Sequence, residues 1–148
     1  MLLNKPEVII VDEPTAGLDP AERRRFLNVL REIGRDHIVI FSTHIVEDVE
    51  ELCQDMAIMN QGKILLRSAP DAAIADIKDR VWSKVMTRDE AELAGETHKV
   101  LSHSYRPDDD INVRIYYNDI PGPGFERVTP EIQDVYFSYL YGYQSKEV

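Results

Sequence analysis

Four aliphatic residues stand in a row at positions 8–11, and Asp12 and Glu13 follow them directly. An unbroken apolar run of this kind is typical of a parallel strand that is covered on both faces. In open α/β sheets, ligands bind at the carboxyl ends of such strands. Two neighbouring carboxylates at the rim of an apolar strand are unfavourable unless a positive charge approaches them. The pattern therefore predicts a strand that presents two acidic side chains to a cation.

The next stretch predicts a helix and then a second buried strand. Asp19 can cap the helix, Pro20 suits its first position, and Glu22 suits a capping box. Apolar residues at 26, 27, 30 and 33 share one stripe, and Gly34 ends the helix. Its arginines, at 23–25 and 31, are interpreted as a solvated helix face. Residues 37–42 form the second strand, with Thr43 and His44 in the loop at its carboxyl end.

The remainder of the chain predicts an α+β arrangement. A helix over 45–53 precedes a hairpin over 55–67, whose turn contains Gly62, and then a short helix over 71–79. Strands are predicted over 81–86, 98–105 and 111–117, with a Glu-rich segment between the first two that suits a helix. Thr129 is the predicted cap of a last helix with an apolar and aromatic stripe. The opening residues 1–6 resemble the last turn of a helix that ends before the proline.

Composition and charge narrow the class of protein. The 148 residues carry a net charge of -10, which argues against a module that binds nucleic-acid phosphates. The single cysteine, Cys53, excludes an internal disulfide. No apolar run approaches the roughly 18 residues that a membrane span needs. These features favour a soluble intracellular protein.

Two short segments carry a family resemblance. The segment 8–20, with Asp-Glu-Pro-Thr-Ala-Gly-Leu-Asp-Pro at its end, resembles the Walker B motif and D-loop of ABC-type ATPases, in particular exporter-like subunits. The segment 38–44 resembles the strand and H-loop that follow in that family. The resemblance implies an α/β fold: the C-terminal half of a P-loop ABC ATPase core, mostly parallel strands with flanking helices, followed by a small α+β appendage. It implies a partial core over 1–68, a linking helix over 69–79 and the appendage over 80–148. In the family such appendages also tend to end in a Thr-Pro-x-x-x-Asp-Val helix, which matches 129–135.

The resemblance also implies roles for individual residues. Asp12 would hold Mg²⁺, mainly through water, and Glu13 would orient and polarise the water that attacks the γ-phosphate of ATP. His44 would contact the γ-phosphate and hold Glu13 and the water in line. Gly17, Leu18 and Asp19 would form the loop that crosses to a second ATPase subunit. The implied cofactors are therefore ATP and Mg²⁺.

Two motifs of the family do not occur in this sequence. The only Gly-Lys pair is Gly62-Lys63, which is followed by Ile64 and preceded by Ala57 where a Walker A loop needs glycine, and no Leu-Ser-Gly-Gly signature is found. We therefore expect the back end of an ATPase domain that binds ATP weakly or not at all by itself and does not hydrolyse it. Strands made for burial would then have open edges and apolar faces, so self-association is expected.

The intact parent would be an ATP-hydrolysing export subunit. It is expected to work as a homodimer with a transmembrane permease, at the inner face of the cell membrane, without nucleic acid as a partner. Two alternatives stay open. One is a non-transport ABC ATPase acting on DNA or the ribosome, which the acidic charge and the lack of a long heptad segment disfavour. The other is a non-catalytic dimerisation or regulatory module formed by residues 80–148.

Overall fold

The computed structural model of the protein describes residues 6–144, which form five helices and eight strands in three separate sheets. The predicted helical turn before Pro6 lies outside these residues. Contacts divide the chain into two compact units, Met1–Gln54 and Asp55–Val148, here called the N-terminal and C-terminal units. The fold is mixed α/β, in agreement with the sequence-based expectation.

The N-terminal unit is a single strand–helix–strand–helix run. It consists of β1 (Val8–Asp12), α1 (Pro20–Ile33), β2 (Ile38–Ser42) and α2 (Val46–Leu52). β1 and β2 pair in parallel, residue for residue, from Val8 beside Ile38 to Asp12 beside Ser42. The carboxylate of Asp19 accepts hydrogen bonds of 2.8 Å from two backbone N–H groups of the first turn of α1. This cap fixes the start of the helix that carries the chain from β1 to β2.

One face of this parallel pair is open. Its exposed side chains are Val8 (46%), Ile10 (75%), Ile38 (61%) and Ile40 (54%), whereas the alternating residues are half-buried. The residue-for-residue register places these four aliphatic side chains on the same face, because side chains alternate along each strand. The expectation of coverage on both faces is therefore wrong for this chain, whereas the expected open apolar face is present.

The C-terminal unit begins with a hairpin and a short helix. β3 (Met56–Asn60) and β4 (Lys63–Ser68) are antiparallel. Gln61 and Gly62 join them with φ angles of 48° and 76°, the pair of positive values that a two-residue hairpin turn requires. α3 (Pro70–Asp76) follows and ends three residues before the predicted limit. The hairpin predicted over 55–67 is confirmed, with each of its two ends one residue later than predicted.

A four-stranded antiparallel sheet forms the core of the C-terminal unit. Its strands are β5 (Val81–Met86), β6 (Lys99–Tyr105), β7 (Ile111–Tyr116) and β8 (Glu126–Arg127), in the order β6-β7-β5-β8. The Glu-rich segment is the helix α4 (Arg88–Thr97), which Thr87 caps. A buried cluster of Trp82, Met86, Ala94, Ile111, Val113 and Ile115 joins α4 to the sheet. The last helix, α5 (Ile132–Leu140), contacts α3, β6 and the hairpin.

Two details of this unit differ from the sequence prediction. The N-cap residue of α5 is Glu131, not Thr129, and its N–H donates to Asp134 Oδ2 over 2.9 Å. Strand β8 was not predicted, because two residues are too few to establish a periodic pattern. The division between units falls before the hairpin, so the hairpin packs with the C-terminal unit. The predicted domain limits at residues 68 and 80 stay a prediction.

Candidate active site

The carboxyl ends of β1 and β2 bring Asp12 and Ser42 side by side. They are register partners in the parallel pair, and the Ser42 hydroxyl donates a hydrogen bond to Asp12 Oδ1. The same hydroxyl accepts a hydrogen bond of 3.0 Å from the backbone N–H of Glu13. Ser42 therefore holds both acidic residues of the motif. Ser42 is not among the site residues predicted from the sequence, although its place at the end of an apolar strand is a signal that points to it.

Glu13 and His44 meet across the ends of the two strands. Glu13 Oε2 lies 2.7 Å from Nδ1 of His44 and 3.4 Å from the backbone N of the same residue. The backbone of Glu13 is left-handed, with φ of 46°, and its N–H also donates to the Ser42 carbonyl over 3.1 Å. The structure thus brings together the two side chains that are predicted to be catalytic. Both are open to solvent, with side chains 37% and 71% exposed.

The Glu13–His44 contact limits what the imidazole can do. In a neutral imidazole one nitrogen donates and the other accepts. When Nδ1–H donates to the Glu13 carboxylate, Nε2 can accept a hydrogen bond but cannot donate one. Only the imidazolium donates from both nitrogens, and in that form it bridges the carboxylate to a second oxyanion. The contact therefore couples the protonation state of His44 to the ligand that it can hold.

The loop after Glu13 is fixed at both of its ends. Gly17 has φ of 76°, a value that suits glycine, and the Leu18 N–H donates to the Thr15 carbonyl over 3.3 Å. Asp19 caps α1, as predicted. Leu18 is 36% exposed, and Gly17 and Asp19 are also exposed. Their contact with a second subunit stays a prediction.

A buried polar cluster underlies this loop. Asp48 in α2 is fully buried and accepts hydrogen bonds from Thr15 Oγ1 over 2.6 Å and from Arg23 Nε over 2.7 Å. Thr15 is 1% exposed and the Arg23 side chain 30%. The interpretation of Arg23 as part of a solvated face is therefore wrong, because it pairs with a carboxylate of the neighbouring helix. The cluster joins the loop after β1 and the start of α1 to the helix that follows His44.

The donors at the strand ends suit Mg²⁺. Exposed Asp12 offers a carboxylate and Ser42 a hydroxyl, and oxygen atoms of this type are the ligands that Mg²⁺ prefers. Within residues 6–144, no three histidine, cysteine or acidic side chains form a cluster able to hold a metal ion. A single carboxylate is consistent with an ion that keeps most of its water and takes further ligands from nucleotide phosphates.

The chain has relatives among known proteins. No family model matches the chain. The chain is 33% identical over 110 residues to a Nod factor export ATP-binding protein I of Mesorhizobium japonicum. The match covers 71% of this chain and 30% of the relative. It is 30% identical over 123 residues to the uncharacterized ABC transporter ATP-binding protein YhcH of Bacillus subtilis, covering 81% of this chain and 39% of the relative. It is 43% identical over 63 residues to YxlF of the same species, another uncharacterized ABC transporter ATP-binding protein. That match covers 43% of this chain and 21% of the relative.

Its homologues are ATP-binding proteins of ABC transporters, and it matches the C-terminal portion of such a subunit. The resemblance stated from the sequence is thereby confirmed. The chain spans between 21% and 39% of the lengths of these three relatives. Activity, substrate and partners of a whole ABC subunit are therefore matters for proposal.

Proposed function

We propose that this chain is the part of an ATP-hydrolysing ABC transport subunit that positions the attacking water and supplies its general base. The observation that carries the proposal is the 2.7 Å contact between Glu13 Oε2 and His44 Nδ1 at the ends of two adjacent parallel strands. A carboxylate held by an imidazole, next to a second carboxylate suited to Mg²⁺, is an arrangement for hydrolysing a phosphoanhydride.

Each side chain has a separate task in this proposal. Glu13 accepts a proton from the water as it attacks the γ-phosphate. His44 keeps the carboxylate in place through Nδ1–H and, in the form that carries a proton on both nitrogens, donates from Nε2 to the phosphate. Asp12 would hold Mg²⁺, mainly through water, and a bound ion would supply positive charge beside the phosphate oxygens. Ser42 fixes Asp12 and the backbone of Glu13 through one hydroxyl. The loop formed by Gly17, Leu18 and Asp19 contacts a second ATPase subunit.

The decisive experiment is the substitution Glu13→Gln in a full-length subunit that carries this sequence. Glutamine keeps the shape of the side chain but cannot accept the proton, so Mg²⁺-dependent ATP hydrolysis should fall by at least about 100-fold. Phosphate release under saturating ATP measures the effect. Glu7→Gln is the matched control, because it removes a carboxylate just before the amino end of the same strand. Equal losses in both variants, or none in either, would contradict the role of Glu13.

The 148-residue chain by itself is proposed to be inactive. Its sequence contains no phosphate-binding Gly-Lys-Ser/Thr loop, so it lacks the element that would hold the nucleotide beside Glu13. Mg²⁺-dependent turnover by this chain that disappears with Glu13→Gln would refute this part of the proposal.

The proposed setting is an export system at the inner face of the cell membrane. The relative from Mesorhizobium japonicum carries export in its name. A pair of ATPase subunits would act with a transmembrane permease, and the permease would select the substrate. Among the described residues, none of the helices has the length and apolar character needed to cross a membrane.

The open face of the N-terminal unit supports self-association of the isolated chain. Four exposed aliphatic side chains on one face of a two-stranded sheet leave apolar surface in water. In a solution of this chain, a second copy can cover this apolar face. We therefore expect light scattering to give the mass of a dimer. Ile10→Glu should shift the mass to that of a monomer. Ile64→Glu is the matched control, since Ile64 is a similarly exposed strand residue (64%) in the other unit. A wild-type monomer at working concentration would rule out the dimer.

A further inference from the structure

A concave groove in the C-terminal unit has no part in the proposed hydrolysis. It lies where the end of α3, the start of β6, the end of β7 and the residues after α5 meet, and its volume is about 610 Å³. Two cationic side chains, Arg80 and Lys99, line it together with Tyr116, Asn118 and Tyr143. Asp76 is the one acidic side chain among the described lining residues.

Arg80 is held at the groove by a buried tyrosine. Its Nη1 donates to the hydroxyl of Tyr116 over 3.1 Å, and Tyr116 is 4% exposed. This hydrogen bond raises the pKa of the Arg80 guanidinium above its usual value, and the Asp76 carboxylate adds to the rise. The guanidinium has five N–H donors in a planar fork, of which the tyrosine takes one. The bond therefore fixes the position of a cation that remains exposed to solvent.

Lys99 is held between two aromatic rings. Its Nζ lies 5.9 Å from the ring centroid of Tyr116 and 5.5 Å from that of Tyr143. The same nitrogen donates a long hydrogen bond of 3.5 Å to the Tyr143 carbonyl. Two ring contacts restrict a side chain that would otherwise move freely. Lys99 therefore loses less conformational entropy when a ligand binds to it, and binding costs less free energy.

The charge of the groove is opposite to that of the chain. The protein as a whole carries a net charge of -10, whereas the described groove lining has two cations and one carboxylate. A concave surface concentrates the field of the charges that line it, so an anion is drawn to this place despite the acidic chain. The Arg80 fork suits the two oxygens of a carboxylate or phosphate, and the Lys99 ammonium adds a compact point charge.

We propose that this groove binds a small ligand with an oxyanion group, a carboxylate or a phosphate, between Arg80 and Lys99. Tyr116 is common to both cations and sets their spacing. The groove contains none of Asp12, Glu13 and His44. The proposal for the groove therefore goes beyond the proposed hydrolysis and does not depend on it. Ligand binding here would give the C-terminal unit a regulatory role.

The test is a titration of the 148-residue chain followed by amide NMR. Inorganic phosphate and succinate are added separately, with sodium chloride at equal ionic strength as the reference. Saturable shifts are expected at the amides of Arg80, Lys99 and Asn118, with a dissociation constant on the order of 1 mM. A response to phosphate alone, to succinate alone or to both identifies the oxyanion and supports the site. No saturation with either, or the same shifts with chloride, overturns the proposal.

Matched lysine variants separate the groove from general charge effects. Lys99→Met should weaken binding about 10-fold or more, because it removes a charged hydrogen-bond donor to the ligand. Lys63→Met makes the same change at the start of β4, outside the groove, and should leave binding unaltered. Arg80→Gln is the second groove variant if Lys99→Met loses its fold by circular dichroism. Unaltered binding in a folded groove variant would contradict the proposal.

Discussion

Replacing Asp134 with alanine is expected to lower the free energy of unfolding of the C-terminal unit by about 3–5 kcal/mol. Arg114 Nη2 lies 2.5 Å from Asp134 Oδ2, and Nε lies 3.0 Å from Oδ1. The side chains are 17% and 3% exposed. Without Asp134, the guanidinium of β7 loses its buried counter-charge and the Glu131 N–H loses its acceptor at the start of α5.

Urea denaturation followed by the fluorescence of Trp82 measures this effect. Trp82 is the single tryptophan and lies in the same sheet, so the signal reports on this unit. Asp108→Ala is the matched control, because Asp108 also pairs with an arginine but in the open, where ion pairs contribute little. The pair Arg114–Asp134 would be shown to be dispensable if both variants unfolded at the same urea concentration.

Replacing Asp48 with alanine is expected to destabilise the N-terminal unit by about 3 kcal/mol. The Thr15 hydroxyl, which is buried, would lose its acceptor, and Arg23 would lose its partner. Arg23 recovers part of the loss because its side chain is 30% exposed and can turn to water. The fully buried carboxylate is therefore more important for the loop after β1 than for the arginine.

This unit contains no tyrosine or tryptophan, so hydrogen exchange is the suitable measurement. Amides of β1 and α2 should exchange roughly a hundredfold faster through global opening in the variant, since each 1.4 kcal/mol is a factor of ten. Asp36→Ala, an exposed position of the same unit, is the control and should exchange like the wild type. Unaltered protection in Asp48→Ala would show that the cluster does not stabilise the unit.

The elements whose residues interact locally were predictable. Apolar runs gave β1 and β2, a capping aspartate and a glycine gave the limits of α1, and turn residues gave the hairpin. The proximity of Glu13 and His44 was implied by the family resemblance and not by the residue pattern of the two strands. The family resemblance supplied the roles, which stay predictions.

Partners far apart along the chain were not predictable. Asp48 stands early in a helix, where acidic residues are usually solvated, and nothing nearby in sequence indicates that Arg23 and Thr15 enclose it. Arg114 likewise occupies a strand position whose partner is twenty residues further on. Thr129 looked like a cap because it precedes a proline, but the buried Asp134 draws the N–H of Glu131 instead and moves the cap by two residues.

The parallel register of β1 and β2 has a consequence for how this sequence can vary. Asp12 stands beside Ser42 because the strands pair residue for residue from their first position. Deleting one residue within β2 would move every following side chain to the opposite face and separate the serine from the aspartate. Descendants of this gene can therefore exchange one aliphatic residue for another at positions 38–40 and keep Ser42 beside Asp12, whereas a change in the length of β2 before Ser42 separates the two side chains.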